Sequence, residues 1–141
     1  MTDLKVFIVD DDDFYLHMLD QYLRNLGLEN ISMFSNGSDC LDHIQEKPDV
    51  IFLDYNMEDL SGYEVLQKVK RYDSNIFIVM VSAQEDIKPA IDTLKHGAFD
   101  YIQKGDNELE KLKDVLTRIV EVKDMMERNK PSLLKRIFKY I

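Results

Sequence analysis

A doubly wound α/β fold, a five-stranded parallel sheet with helices on both faces, is predicted by three features of the 141-residue chain. Short unbroken apolar runs recur at residues 6–9, 50–53 and 76–81. Each is bounded by polar residues, as in strands buried on both faces. Between them lie segments with apolar residues at helical spacing, and alternating strands and helices imply right-handed parallel crossovers. Gly27, Pro48 and Gly97 supply the breaks.

Residues 5–9 read as the first strand. Over 13–26, Tyr15, Leu19, Tyr22, Leu23 and Leu26 recur at helical steps, and Gly27 is a natural stop. Residues 31–34 make a short strand, followed by a helix over about 37–46 that ends before Pro48. Residues 50–53 are the third strand; a polar loop then leads to Gly62 and a helix marked by Tyr63, Val65, Leu66 and Val69. The longest apolar run, 76–81, is the candidate central strand. Pro89 suits the first turn of a helix that ends at Gly97. Residues 98–102 form a fifth strand, and a long helix runs from about Asn107 to Arg128.

Composition narrows the function classes. With 45% hydrophobic and 32% charged residues the chain has the balance of a folded globular protein. No apolar stretch approaches the roughly 20 residues needed to cross a bilayer. The N-terminus lacks the pattern of a signal peptide, and Cys40 is the single cysteine, so a reducing cytoplasm is expected. All 27 acids lie at or before Glu127 with 13 of the 18 basic residues, which leaves the body at −14 and residues 128–141 at +5. An acidic body argues against direct nucleic-acid binding.

The acids point to the chemistry. Ligands of parallel α/β sheets bind outside the carboxyl ends of the strands. Asp10, Asp11, Asp12 and Asp13 follow the first strand and Asp54 the third. Carboxylates gathered at one point repel unless a cation lies among them, which predicts a divalent metal and phosphate chemistry. Asp12 and Asp13 are expected instead to begin the first helix, where acids meet the positive end of its dipole.

These residues carry a family resemblance. An acidic pair after strand one (Asp10, Asp11), an aspartate after strand three (Asp54), a hydroxyl and alanine after strand four (Ser82-Ala83) and a lysine after strand five (Lys104) stand in one order. With the spacing from Asp54 through Met57 to Gly62, the chain closely resembles the receiver domain of two-component response regulators over about residues 4–127. The resemblance implies a flavodoxin-like sheet of strand order 2-1-3-4-5. It implies that Asp54 accepts a phosphoryl group, with Mg²⁺ (or Mn²⁺) held by Asp10, Asp11, Asp54 and the backbone carbonyl of Asn56. Asp10 would act largely through a water. Lys104 and Ser82 would contact the phosphoryl oxygens, and Ser82 and Tyr101 would form the conformational switch.

The implied partners are a sensor histidine kinase or phosphotransfer protein and an output protein of unknown identity. The chain departs from the family where Glu58 and Gly105 replace prolines, which leaves the conformation of the Lys104–Gly105 link open and makes the surface around strand five looser than usual. His17, His43 and His96 are placed on helices, away from the site.

Two other functions compete. Asp10 and Asp12 match the spacing of the strand-one motif of haloacid-dehalogenase-type phosphatases, with Asp10 as nucleophile, but Phe14 stands where a small residue is expected. A receiver-shaped scaffold that works without phosphorylation is the other. Domain organisation is expected as a receiver over 1–127 and a basic amphipathic helical tail over 128–141. In the tail Leu133, Leu134, Ile137, Phe138 and Ile141 oppose Lys135, Arg136 and Lys139. For the tail, packing on its own fold or in a homodimer ranks first, docking to a partner second and membrane contact last.

Overall fold

The computed structural model describes residues 3–83 and 87–129. Strands β1 (Lys5–Val9), β2 (Asn30–Phe34), β3 (Val50–Leu53), β4 (Phe77–Ser82) and β5 (Asp100–Gln103) alternate with helices α1 (Asp13–Asn25), α2 (Gly37–Asp42), α3 (Gly62–Tyr72), α4 (Ile87–Lys95) and α5 (Glu108–Asn129). The strands form one parallel sheet in the order β2-β1-β3-β4-β5, as the resemblance implies.

Neighbouring strands align Val6 with Val50, Val50 with Phe77 and Val79 with Asp100. Because successive residues of a strand face opposite sides, β1 sends Val6 and Ile8 to one core and Phe7 and Val9 to the other. The first core is closed by Leu16, Leu19 and Leu23 of α1 and by Leu112, Leu116 and Ile119 of α5. The second is closed by Val65, Leu66 and Val69 of α3, with Cys40 from α2. Each large apolar side chain fully buried in this way contributes about 1.5–3 kcal/mol. The double covering explains why the strands read as unbroken apolar runs.

Several boundaries differ from expectation for physical reasons. The helix expected over 37–46 is α2 followed by a separate 3-10 turn, Ile44–Glu46, with His43 between them. β4 begins one residue after the expected position: Ile76 is buried, but its N–H bonds back to Asp73 in a turn. The ladder of β5 likewise starts at Asp100, since the N–H of Ala98 turns back to Thr93. Burial there begins before strand pairing does.

The expected division at 127/128 falls inside α5, which continues to Asn129. The first half of α5 packs on the sheet, while Met125 and Met126 are exposed. The amphipathic helix expected beyond Pro131 lies outside the described residues. No described helix is long and apolar enough to cross a membrane.

Candidate functional site

The carboxyl ends of β1, β3, β4 and β5 are stitched together by backbone bonds. Asp54 N–H donates to Val9 O at 2.9 Å and Lys104 N–H to Ser82 O at 2.9 Å, while Asp10 N–H reaches Phe34 O of β2 at 3.1 Å. The ladder therefore carries Asp10, Asp54, Ser82 and Lys104 to one end of the sheet. Ser82 is fully buried, Asp10 is 2% exposed and Asp54 6%. Asp11 stands at the rim, exposed to solvent.

One carboxylate oxygen from each of Asp10, Asp11 and Asp54 lies within 4.8 Å of the other two. Among the described residues the charge opposite them is one ammonium: Lys104 Nζ donates to Asp10 Oδ2 at 2.7 Å and lies 3.8 Å from Asp54 Oδ1. Burial, followed by the neighbouring Asp10, pushes the Asp54 carboxyl up to about 7 from its ordinary 3.8. Asp11 adds to the rise, while Lys104 and the Tyr55 N–H oppose it. A carboxylate in that position lacks positive charge. The oxygen donors suit a small hard cation, which would relieve the repulsion and favour the ionised form of Asp54.

The other residues singled out from the sequence stand in separate settings. Asp12 caps α1, accepting from Phe14 N–H at 3.0 Å and Tyr15 N–H at 3.3 Å, and Asp13 opens the helix. Asn56 is exposed in the loop after β3. Tyr101 lies half-buried on β5, its ring packed against the second core and its hydroxyl shielded from solvent. Every described peptide bond is trans, including the Lys104–Gly105 link. The three histidines make local contacts, each Nδ1 meeting the backbone carbonyl four residues earlier.

Gly62 keeps the loop after β3 folded over Asp54. Its N–H bonds to Tyr55 O at 2.8 Å, and a Cβ there would stand 2.3 Å from the backbone oxygen of Asp54. The spacing from Asp54 to Gly62 thus reflects a backbone approach that only glycine permits.

Sequence reasoning missed Tyr15 and Glu108. The Tyr15 hydroxyl donates to Glu108 at 2.6 Å, and the Tyr15 ring lies under Lys104 Nζ, 4.1 Å from the ring centre. Burial, followed by the Glu108 bond, holds the Tyr15 phenol well above its ordinary range, so it stays a neutral donor. The two residues are 93 positions apart, and no local pattern announces the pair.

Comparison with known proteins agrees with this architecture. The response regulator receiver domain family matches residues 6–117. A protein-glutamate methylesterase/protein-glutamine glutaminase of Clostridium acetobutylicum is 35% identical over 136 residues, covering 92% of this chain and 39% of that protein. Chemotaxis protein CheY of Thermotoga maritima is 31% identical, with 71% of this chain and 84% of the relative aligned. The BeF3-activated DrrB receiver domain superposes with a TM-score of 0.75 at 29% identity, covering 84% of this chain and 97% of that one. Other curated relatives are much longer; the chain spans 21% of the DNA-binding transcriptional regulator NtrC of Escherichia coli K12. The chain belongs to the response regulator receiver domain family, the phosphorylation-dependent switches of two-component signalling.

Proposed function

We propose that this chain is a signalling switch that takes a phosphoryl group onto Asp54 from a histidine kinase or phosphotransfer protein and reports it through protein contacts. The observation that supports it best is the charge imbalance among the described residues: three carboxylates, two of them buried, against one ammonium. A bound Mg²⁺ (or Mn²⁺), held by Asp10, Asp11, Asp54 and the Asn56 carbonyl, would neutralise the transferring oxygens. Asp54, as the carboxylate, attacks phosphorus; a new bond from its oxygen to phosphorus forms as the donor's bond to phosphorus breaks. Lys104 pairs with one phosphoryl oxygen and Ser82 donates a hydrogen bond to another. Tyr101 and Ser82 then change conformation together, because the modified state offers contacts that the unmodified state lacks.

Both Asp10 oxygens are engaged, one by Lys104 Nζ and the other by the Asp12 N–H at 2.9 Å. Donors on both oxygens make Asp10 a poorer nucleophile than the phosphatase reading needs. The switch is read as cytoplasmic, its catalysis confined to gain and loss of its own phosphoryl group. Residues 1–127 form the receiver; residues 128–141 contribute dimer or partner contacts. The chain spans 39% of the clostridial relative, and the esterase activity in that protein's name forms no part of this reading.

The test is intact-mass analysis after treatment with acetyl phosphate and Mg²⁺, with the modified residue located by borohydride trapping. The wild type should gain one phosphoryl group at Asp54, and Asp54→Asn should gain none. A label on Asp10 would favour the phosphatase. No gain in the wild type would leave the phosphorylation-independent scaffold.

A further inference from the structure

We propose that Tyr15 and Glu108 form a buried latch that positions the Lys104 ammonium at the phosphoacceptor corner, an inference that rests on the phosphoryl-accepting reading above. Lysine carries a long, flexible stem, and an ammonium prefers water unless something holds it. Here one carboxylate anchors two of the groups around it. Glu108 Oε2 accepts the Tyr15 hydroxyl at 2.6 Å and Oε1 accepts the Gly105 N–H at 3.0 Å. The first bond fixes the aromatic ring whose face lies 4.1 Å from Lys104 Nζ. The second fixes the backbone one residue past Lys104.

The second bond depends on Gly105. Its φ of 138° lies in a region that proline cannot adopt, and proline would also lack the N–H that Glu108 receives. The glycine at the position where the family usually has proline thus belongs with the glutamate three residues later. Through Glu108 the link after β5 is joined to Tyr15 of α1. Glu108 is only 7% exposed and Tyr15 equally buried, so a lost partner could not readily be replaced by water. An ammonium over an aromatic face is attracted to it, more so when partly desolvated. Lys104 is thereby kept between Asp10 and Asp54 instead of extending into solvent.

The test combines a spectroscopic readout on the metal-free protein with a rate. In protein labelled with ¹³C at lysine Cε, the Lys104 signal should be shifted by the Tyr15 ring current. Tyr15→Leu should erase the shift and Glu108→Ala should move it towards the exposed lysines. Glu108→Gln, which can still accept one bond, should fall in between. Tyr15→Phe keeps the ring and its volume while losing the anchor; it should show a partial loss and guards against a variant that fails to fold.

With saturating Mg²⁺, phosphorylation by acetyl phosphate should slow about tenfold in Tyr15→Leu and Glu108→Ala. Saturating Mg²⁺ keeps any change in its affinity, which freeing Lys104 from Asp10 would produce, out of the rate comparison. A Lys104 signal that stays in place in folded Glu108→Ala and Tyr15→Phe would overturn the latch. So would rates within about twofold of wild type in all variants. If the wild type accepts no phosphoryl group, the proposed function fails, while the Lys104 signal still decides the latch.

Discussion

Two aspartates bracket β3, and their surroundings differ sharply. Asp49, just before Val50, accepts the Lys5 N–H at 2.8 Å and the Lys123 ammonium at 2.9 Å. Asp54, just after Leu53, shares its single ammonium with Asp10, which holds it more closely at 2.7 Å than Asp54 does at 3.8 Å. At the amino end of the sheet the carboxylate is matched with donors and half-open to water. At the carboxyl end a buried carboxylate is crowded by its own kind. A matched charge serves the fold, whereas an unmatched one is a site awaiting something positive.

The contrast is most exposed to failure in the pH dependence of stability without metal. Burial and Asp10 raise the Asp54 carboxyl to about 7 in the folded protein from an ordinary 3.8. Between these values the folded state holds a proton that the unfolded state has released, so stability falls as pH rises from about 4 to 7 and then levels off. Asp54→Asn should remove that loss and make the metal-free protein more stable at pH 8, by on the order of 2–4 kcal/mol. Urea unfolding at pH 5 and pH 8 checks it. A variant no more stable than wild type at pH 8 would mean that the cluster is not short of positive charge.

Mg²⁺ sharpens the same comparison. A ligand that binds only the folded state stabilises by about 2.7 kcal/mol at a hundred times its Kd. The wild type should gain this at pH 8, whereas Asp54→Asn and Asp11→Asn should gain much less. Asp49→Asn should respond as wild type does, because its carboxylate lies at the opposite end of β3. An equal response from all four proteins would place the cation elsewhere.

The same contrast explains what could be read from sequence. A buried strand announces itself through consecutive apolar residues, and its carboxyl end is set by chain direction, so Asp10, Asp11, Asp54, Ser82 and Lys104 could be assigned to one end of the sheet. That Asp12 and Asp13 begin α1 was equally legible, because the pull of a helix's positive end on acids is local. Strand edges were less so: Ile76 and Ala98 pack in the core ahead of the ladders, and hydropathy cannot distinguish burial from pairing. The Tyr15–Glu108 bond and the Asp49–Lys123 pair join residues 93 and 74 positions apart. Their partners are selected by tertiary packing, and nothing in the flanking residues marks them.

The smallest expected effect belongs to the amino end. Lys123 and Asp49 keep 30% and 27% of their side-chain surface exposed, so water screens the pair and holding the lysine still costs entropy. Lys123→Ala should destabilise by less than about 1 kcal/mol. Asp49→Ala should cost somewhat more, about 1–2 kcal/mol, because it also strips the Lys5 N–H of its acceptor. A double-mutant cycle in urea should then give a coupling of about 0.2–1 kcal/mol, reduced by added salt. A coupling of several kcal/mol that is insensitive to salt would show this end to be as desolvated as the Asp54 site, and the distinction between the two ends of β3 would fail.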